Sequence, residues 1–178
     1  MDSGSFLWLP HSFYWLRALW NLGFDMASPL DDWKFLVGEW KGETKDQFGE
    51  AETIKGTAIY SLDPSDSFIM EKREAWSDNR LVNKSISLMF FDGAEQKFKR
   101  KTFFSYGFVN NEVEYLRNDE EIRFDITMEP LSKSFQGTRW RSFIRKISED
   151  KVAVGLEVAK EGEEFKSYGE TTMIKTKR

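Results

Sequence analysis

FLVGEWKGE, residues 35–43, sets one tryptophan, Trp40, between Gly38 and Gly42, where the chain passes from one kind of pattern to another. Upstream, Asp31 and Asp32 followed by WKFLVG read as a short helical turn, with Asp31 as its N-cap and Gly38 as its stop. Downstream, apolar and polar residues alternate with a period of two, as side chains do on the two faces of a sheet. A large ring between two glycines at such a junction suits a plug. Gly38 lets the chain turn into the first strand, Gly42 lets that strand bend, and Trp40 fills the base of whatever the strands enclose.

Ten short strands follow. They are EWKGETK from Glu39, ETIKGTAIYSL from Glu52, SFIMEKREAWS from Ser67, LVNKSISLMFFD from Leu81, KFKRKTFFSYG from Lys97, VEYLRN from Val113, EEIRFDITME from Glu120 and TRWRSFIRKI from Thr138. The run from Val152 to Lys175 holds two more, divided at Glu161–Gly162. The turns DPSD (63–66) and DGAEQ (92–96) punctuate the series. Connections this short pair neighbours antiparallel, and no helical pattern separates the strands. The fold class is therefore all-β: an up-and-down antiparallel barrel of about ten strands, closed by the short helix, because closure removes exposed edges.

The 178 residues suit one domain. The 26 basic and 30 acidic residues leave a net charge of −4 with both signs interspersed, which disfavours a nucleic-acid partner. No apolar run approaches the ~20 residues of a transmembrane helix. With no cysteine there is no disulfide, thiolate metal site or cysteine nucleophile, and the composition fits a reducing, cytoplasmic compartment. The one histidine, His11, lies upstream of the strands, so histidine-based triads and zinc sites within the barrel are not expected.

Residues 1–27 differ from the barrel domain, 28–178. They are crowded with Phe, Leu and Trp, and Phe13, Leu16, Leu19 and Trp20 share a helical face. Two readings stand: an amphipathic segment that meets a membrane surface, a partner or the barrel's outside, or an extension that is not native, since MASPLDD at Met26 reads as a natural start.

Gly38-x-Trp40, beside a helical turn and ahead of a β meander, resembles the calycin superfamily of lipocalins and fatty-acid-binding proteins. The full string is closer to nitrobindin-like barrels and to an uncharacterised group of prokaryotic calycin-like proteins. The resemblance in strand layout runs from Leu30 to about Lys177. It implies a small-molecule-binding barrel whose motif tryptophan packs under a basic side chain from the last strand, with Lys175, Lys177 and Arg178 as candidates. Nitrobindins ligate haem through a late histidine. None exists between Leu30 and Arg178, so haem is not expected here, nor is any other cofactor or metal.

Alternation names the inner wall. Ile122, Phe124, Ile126 and Met128 share a face, as do Val152, Val154, Leu156 and Val158, and as do Ile86, Leu88 and Phe90. Arg100 shares its face with Phe98, Thr102, Phe104 and Tyr106. Met70, Glu74 and Trp76 form a second candidate wall, Trp140 and Ser142 a third, and Tyr115 a fourth. The ligand-binding candidates are thus Arg100, Thr102, Phe104, Met70, Glu74, Trp76, Phe90, Tyr115, Ile126, Trp140 and Ser142. Arg100 reads as an anchor for a ligand carboxylate, or else as the partner of Glu74. The leading function is an intracellular barrel for an apolar or amphipathic small molecule. The alternatives are an enzyme using Glu74 with Tyr115 for acid–base chemistry, and a structural barrel filled by its own aromatics. Binding is favoured over enzyme, as no nucleophile motif appears. Met89, Phe91 and Phe103 read as an outward patch, a homodimer face or a seat for the N-terminal segment.

Overall fold

Short turns and period-two patterning close the sheet on itself. The computed structural model describes residues 28–45, 53–130 and 136–177, so residues 1–27 and their helix lie outside the described residues. The strands are β1 Gly38–Lys45, β2 Thr53–Leu62, β3 Phe68–Ser77, β4 Arg80–Asp92, β5 Lys97–Phe104, β6 Val109–Arg117, β7 Glu121–Glu129, β8 Thr138–Ser148, β9 Lys151–Lys160 and β10 Lys166–Lys177. Each pairs antiparallel with its neighbours in sequence, and β1 pairs with β10 to close a ten-stranded barrel. Strand β6 starts four residues before the expected VEYLRN, because Asn110, Asn111 and Glu112 break the apolar signal there. In the DPSD turn the Asp63 carboxylate accepts from the Ser65 hydroxyl and from the N–H groups of Ser65, Ser67 and Phe68, which hold its pKa down at about 2.

One end is plugged as the motif implies. A 3₁₀ helix, Asp31–Leu36, crosses the barrel base and buries Trp33 and Leu36. Trp40 is 1% exposed, and its Nε1 donates to the Leu36 carbonyl at 2.6 Å. Lys175 supplies the basic cover: its Nζ lies 5.0 Å from the Trp40 ring centre and donates to the Phe35 carbonyl at 2.6 Å. Asp31 does not cap its own helix. Its carboxylate accepts from the Ser28 N–H at 2.9 Å, and no side chain caps the turn.

The two glycines serve different needs. Gly38 has φ 135°, open to glycine and strained for other residues. Gly42 is required by close packing, not by a bend. A Cβ there would stand 2.5 Å from the Thr172 carbonyl oxygen on β10 and 2.6 Å from the Met173 sulfur.

Above the plug, Phe98, Ile122, Phe124, Ile144 and Val152 pack a dense apolar half-barrel. The expected faces of β5, β7 and β9 are the observed ones up to the strand ends. Tyr106 falls in the turn after β5 and is exposed. On β3 and β4 the expected faces are reversed. Ile69, Glu71, Ser85, Ser87 and Met89 are buried inside, while Ile86 is 42% and Phe90 36% exposed. Met89 is therefore core and not part of an outward patch. Phe91 packs on Phe98 at 5.3 Å between ring centres, and Phe103 alone of that trio is exposed. The reason is physical: both faces of β4 carry apolar residues, and this stretch of the inner wall fronts a polar space, so the larger apolar face went outside.

Trp40→Ala removes the plug. The expected cost is ~3–5 kcal/mol, as for other buried aromatic truncations, read by equilibrium urea unfolding. A loss below ~1 kcal/mol contradicts the plug.

Candidate functional site

The barrel is filled for half its depth only. Beyond the apolar half, the inward positions of β3, β5 and β6 carry charge. Glu71 and Arg73 sit two apart on β3 and share a face, and Arg100 on β5 stands beside Glu112 on β6 as its Cα register partner. Arg100 donates from Nε and from one terminal nitrogen to Glu112 Oε2, at 3.0 and 2.5 Å. The same terminal nitrogen donates to the Ser142 hydroxyl at 2.9 Å, and the guanidinium rests 5.0 Å from the Phe124 ring centre. Arg73 donates from Nε to Glu71 Oε1 at 2.8 Å, and the Tyr60 hydroxyl donates to the same oxygen at 2.8 Å.

Proton direction follows from donor counting. The Thr102 hydroxyl lies 3.0 Å from both Ser87 Oγ and Glu112 Oε1. A carboxylate only accepts, so Thr102 donates to Glu112 and accepts from Ser87. By the same rule Ser142 donates to Glu112 Oε2 at 2.5 Å while accepting from Arg100. The Glu112 carboxylate is thus met on both oxygens.

Burial shifts these groups. Burial alone would raise the Glu71 carboxyl, but the guanidinium groups of Arg73 and Arg100, with the Tyr60 hydroxyl, more than offset it, and the pKa falls below its ordinary value. Burial, then the Glu71 charge, pushes the Tyr60 phenol well up. Burial acts to lower Arg100, and Glu112 outweighs it, so the guanidinium is held charged. Two cations and two anions form one ionised layer across the interior with no net charge.

Above this layer lies a cavity of about 520 Å³, within the ~300–1,000 Å³ common for small-molecule sites. Its walls differ. The arc from β3 to β6 is mainly polar, with Arg73, Ser77, Ser85, Ser87, Thr102 and Asn110 beside Ala75, Val82 and Phe104, and the opposite arc carries Ile126, Val154 and Leu156 beside Ser142, Tyr168 and Thr171. Arg73 keeps 31% of its side chain exposed, whereas Arg100 keeps 11%. Among the described residues no group of three or more His, Cys, Asp and Glu is arranged to hold a metal.

Of the expected site residues, Arg100, Thr102, Phe104, Ile126 and Ser142 line the cavity. Trp140 packs edge to face on Tyr168, 4.8 Å between ring centres; Tyr168 is a lining residue and Trp140 is not. Met70, Glu74, Trp76 and Phe90 lie on the reversed outer faces. Glu74 pairs with Lys84 at 3.0 Å, so it is neither the partner of Arg100 nor an interior acid. Tyr115 lies outside under Arg141, whose guanidinium carbon is 4.0 Å from its ring centre. Glu74 and Tyr115 are not brought together. Sequence reasoning missed Glu71, Arg73, Asn83, Asn110 and Glu112. The signal was present in part: Glu71 and Arg73 are opposite charges on one strand face, and Ser85 and Ser87 are small residues where a wall must leave room.

The architecture is a closed ten-stranded antiparallel β-barrel. Among solved structures it is similar to Rv2717c from M. tuberculosis, with TM-score 0.62 and 12% identity, covering 83% of this chain and 96% of that one. It is also similar to the S-type phycobiliprotein lyase CPES from Guillardia theta, with TM-score 0.56 and 13% identity, covering 86% of this chain and 95% of that one. At these identities the likeness is one of fold. No family model matches the chain, and no curated protein does.

Arg100→Met strands a buried carboxylate and is expected to cost ~3–5 kcal/mol in urea unfolding at neutral pH. Arg100→Met/Glu112→Gln is expected to regain most of that loss. A double variant no more stable than the single one contradicts the pairing.

Proposed function

We propose that the barrel binds a small amphipathic molecule bearing an acidic group. The observation that carries this reading is a ligand-sized cavity with the partly exposed side chain of Arg73 on one wall and the aliphatic Ile126, Val154 and Leu156 on the other. A carboxylate or sulfonate meets Arg73, and the apolar body lies against Ile126, Val154 and Leu156. Burying that body against these side chains supplies about 25 cal/mol per Å². Arg73 supplies a charge-assisted contact that selects the acid end. Arg100 belongs to the floor, where Glu112 and Ser142 hold it; Arg73 is likewise held by Glu71 through Nε and one terminal nitrogen, but its side chain is the more exposed of the two.

The reading extends to kinship and place. The Phe35–Glu43 string supports a position beside nitrobindin-like barrels and the prokaryotic calycin-like group, without the haem chemistry, since the barrel sequence contains no histidine. The cysteine-free composition supports a cytoplasmic setting.

Titration with 8-anilinonaphthalene-1-sulfonate tests the reading. One saturable site per chain is expected. Glu71→Gln/Arg73→Met removes both charges of that pair without stranding either, and is expected to weaken the probe by tenfold or more. Undiminished binding by the double variant removes Arg73 from the site.

A further inference from the structure

The outer face of β2 to β6 is apolar where a sheet face turned to water is ordinarily polar. Strand register stacks its side chains in rows. The row farthest from the plug runs Ile59, Lys72, Ile86, Phe103, Val109. The next sets Met70 beside Leu88 and Lys101, and the row at the plugged end sets Phe68 beside Phe90. Ile59 is 50% and Phe103 44% exposed, and Ile86 and Phe90 are exposed with them. Beyond the first row the wall turns polar at once, where Glu74 pairs with Lys84 across β3 and β4. A contiguous apolar patch rimmed by polar residues marks a contact surface.

The chain itself points to the occupant. Ser28, the first described residue, donates its N–H to Asp31. Asp31 pairs with Lys34 at 2.8 Å, and Lys34 with Asp66 at 3.3 Å. Asp66 belongs to the turn that leads into Phe68, so the chain enters the barrel domain beside the lowest row of the patch. Residues 1–27 precede Ser28, and their Phe13, Leu16, Leu19 and Trp20 share a helical face. Residues 21–27, with Gly23 among them, reach ~23–25 Å when extended. From Phe68 to Lys72 the patch rises only ~13 Å, so this tether spans it. Tethering also makes the contact intramolecular, at an effective concentration on the order of millimolar. Charge favours the segment over a second copy. Lys72 and Lys101 lie within the patch, and the strand positions of these rows hold no acid. A two-fold interface would lay lysines against lysines. The segment instead carries Asp2 and Asp25 against a single Arg17.

We propose that residues 6–24 lie across the outer face of β2 to β6, with Phe13, Leu16, Leu19 and Trp20 set against its apolar rows. The N-terminal segment is then an outer layer on one side of the barrel, joined to it at the plugged end. This contact is independent of what the cavity binds.

Hydrogen exchange of the full chain reads the contact. Amides within residues 6–24 are expected to exchange slower than in an unstructured chain by a factor on the order of ten or more. Ile86→Thr/Phe103→Thr trims two exposed side chains and leaves the inner faces of their strands intact. Leu16→Ser/Trp20→Ser trims the facing residues. Each pair is expected to return those amides to the unstructured rate, while the amides of β7 to β9 keep theirs. Benzoylphenylalanine in place of Phe103 identifies the occupant: irradiation is expected to join position 103 to residues 6–24 of the same chain. Unprotected amides in the unaltered chain overturn the proposal. So does protection that survives both pairs of substitutions. A photoproduct that joins two chains overturns it as well, because a second copy then covers the patch.

Discussion

Everything inside this barrel is arranged around the buried contact between Arg100 and Glu112. A pair with 11% and 2% side-chain exposure must be fully hydrogen-bonded, or its desolvation outweighs its attraction. Ser142 and Thr102 meet that demand from strands on either side, and each spends its proton on the carboxylate. Glu71, Arg73 and Tyr60 extend the same logic along β2 and β3. The resulting layer is ionised and neutral overall. Below it apolar side chains fill the barrel; above it polar and aliphatic walls enclose a space.

This division answers how an aromatic-rich barrel stays hollow. Trp33, Trp40, Phe98 and Phe124 are spent on the plugged half, where they pack around one another. Several other large apolar residues, Ile59, Ile86, Phe90 and Phe103, are turned outward. The upper half is lined mainly by Ser, Thr, Asn and aliphatic residues, with Phe104, Phe143 and Tyr168 among them, and its lumen stays open. The plug, held by Lys175 and the Leu36 carbonyl, closes one end, so the binding chemistry falls to the other.

The fold was legible because its signals are local. Gly38-x-Trp40 marks the start, Asp-rich turns mark the hairpins, and period-two alternation marks most strands. The site was legible only where alternation was clean: KFKRKTFF gave Arg100, Thr102 and Phe104, and EIRFDITM gave Ile126. It failed on SFIMEKREAWS and NKSISLMFF, where the more apolar face was taken as the inner one. That rule holds for a packed core and inverts beside a polar cavity, since burial there is governed by hydrogen-bond supply. The Arg100 partner was missed for a related reason. Glu112 sits in NNEVE, a polar run without apolar alternation, and only cross-strand register brings it beside β5.

The central claim is that the layer is ionised inside the fold, and proton-linked stability tests it most directly. Glu71 has a folded-state pKa below its ordinary value, held there by Arg73 and Arg100 against burial. Such a carboxylate stabilises the fold fully above its unfolded pKa of about 4.3, and that stabilisation fades as pH falls through the lower, folded value. The measurement is the urea unfolding free energy of the unaltered protein and of Glu71→Gln, taken from pH 7 down to pH 3. The unaltered protein should be the more stable at pH 7, with the gap closing in acid below about pH 4. A gap absent at neutral pH, or one that widens as the pH falls, would contradict an ionised layer.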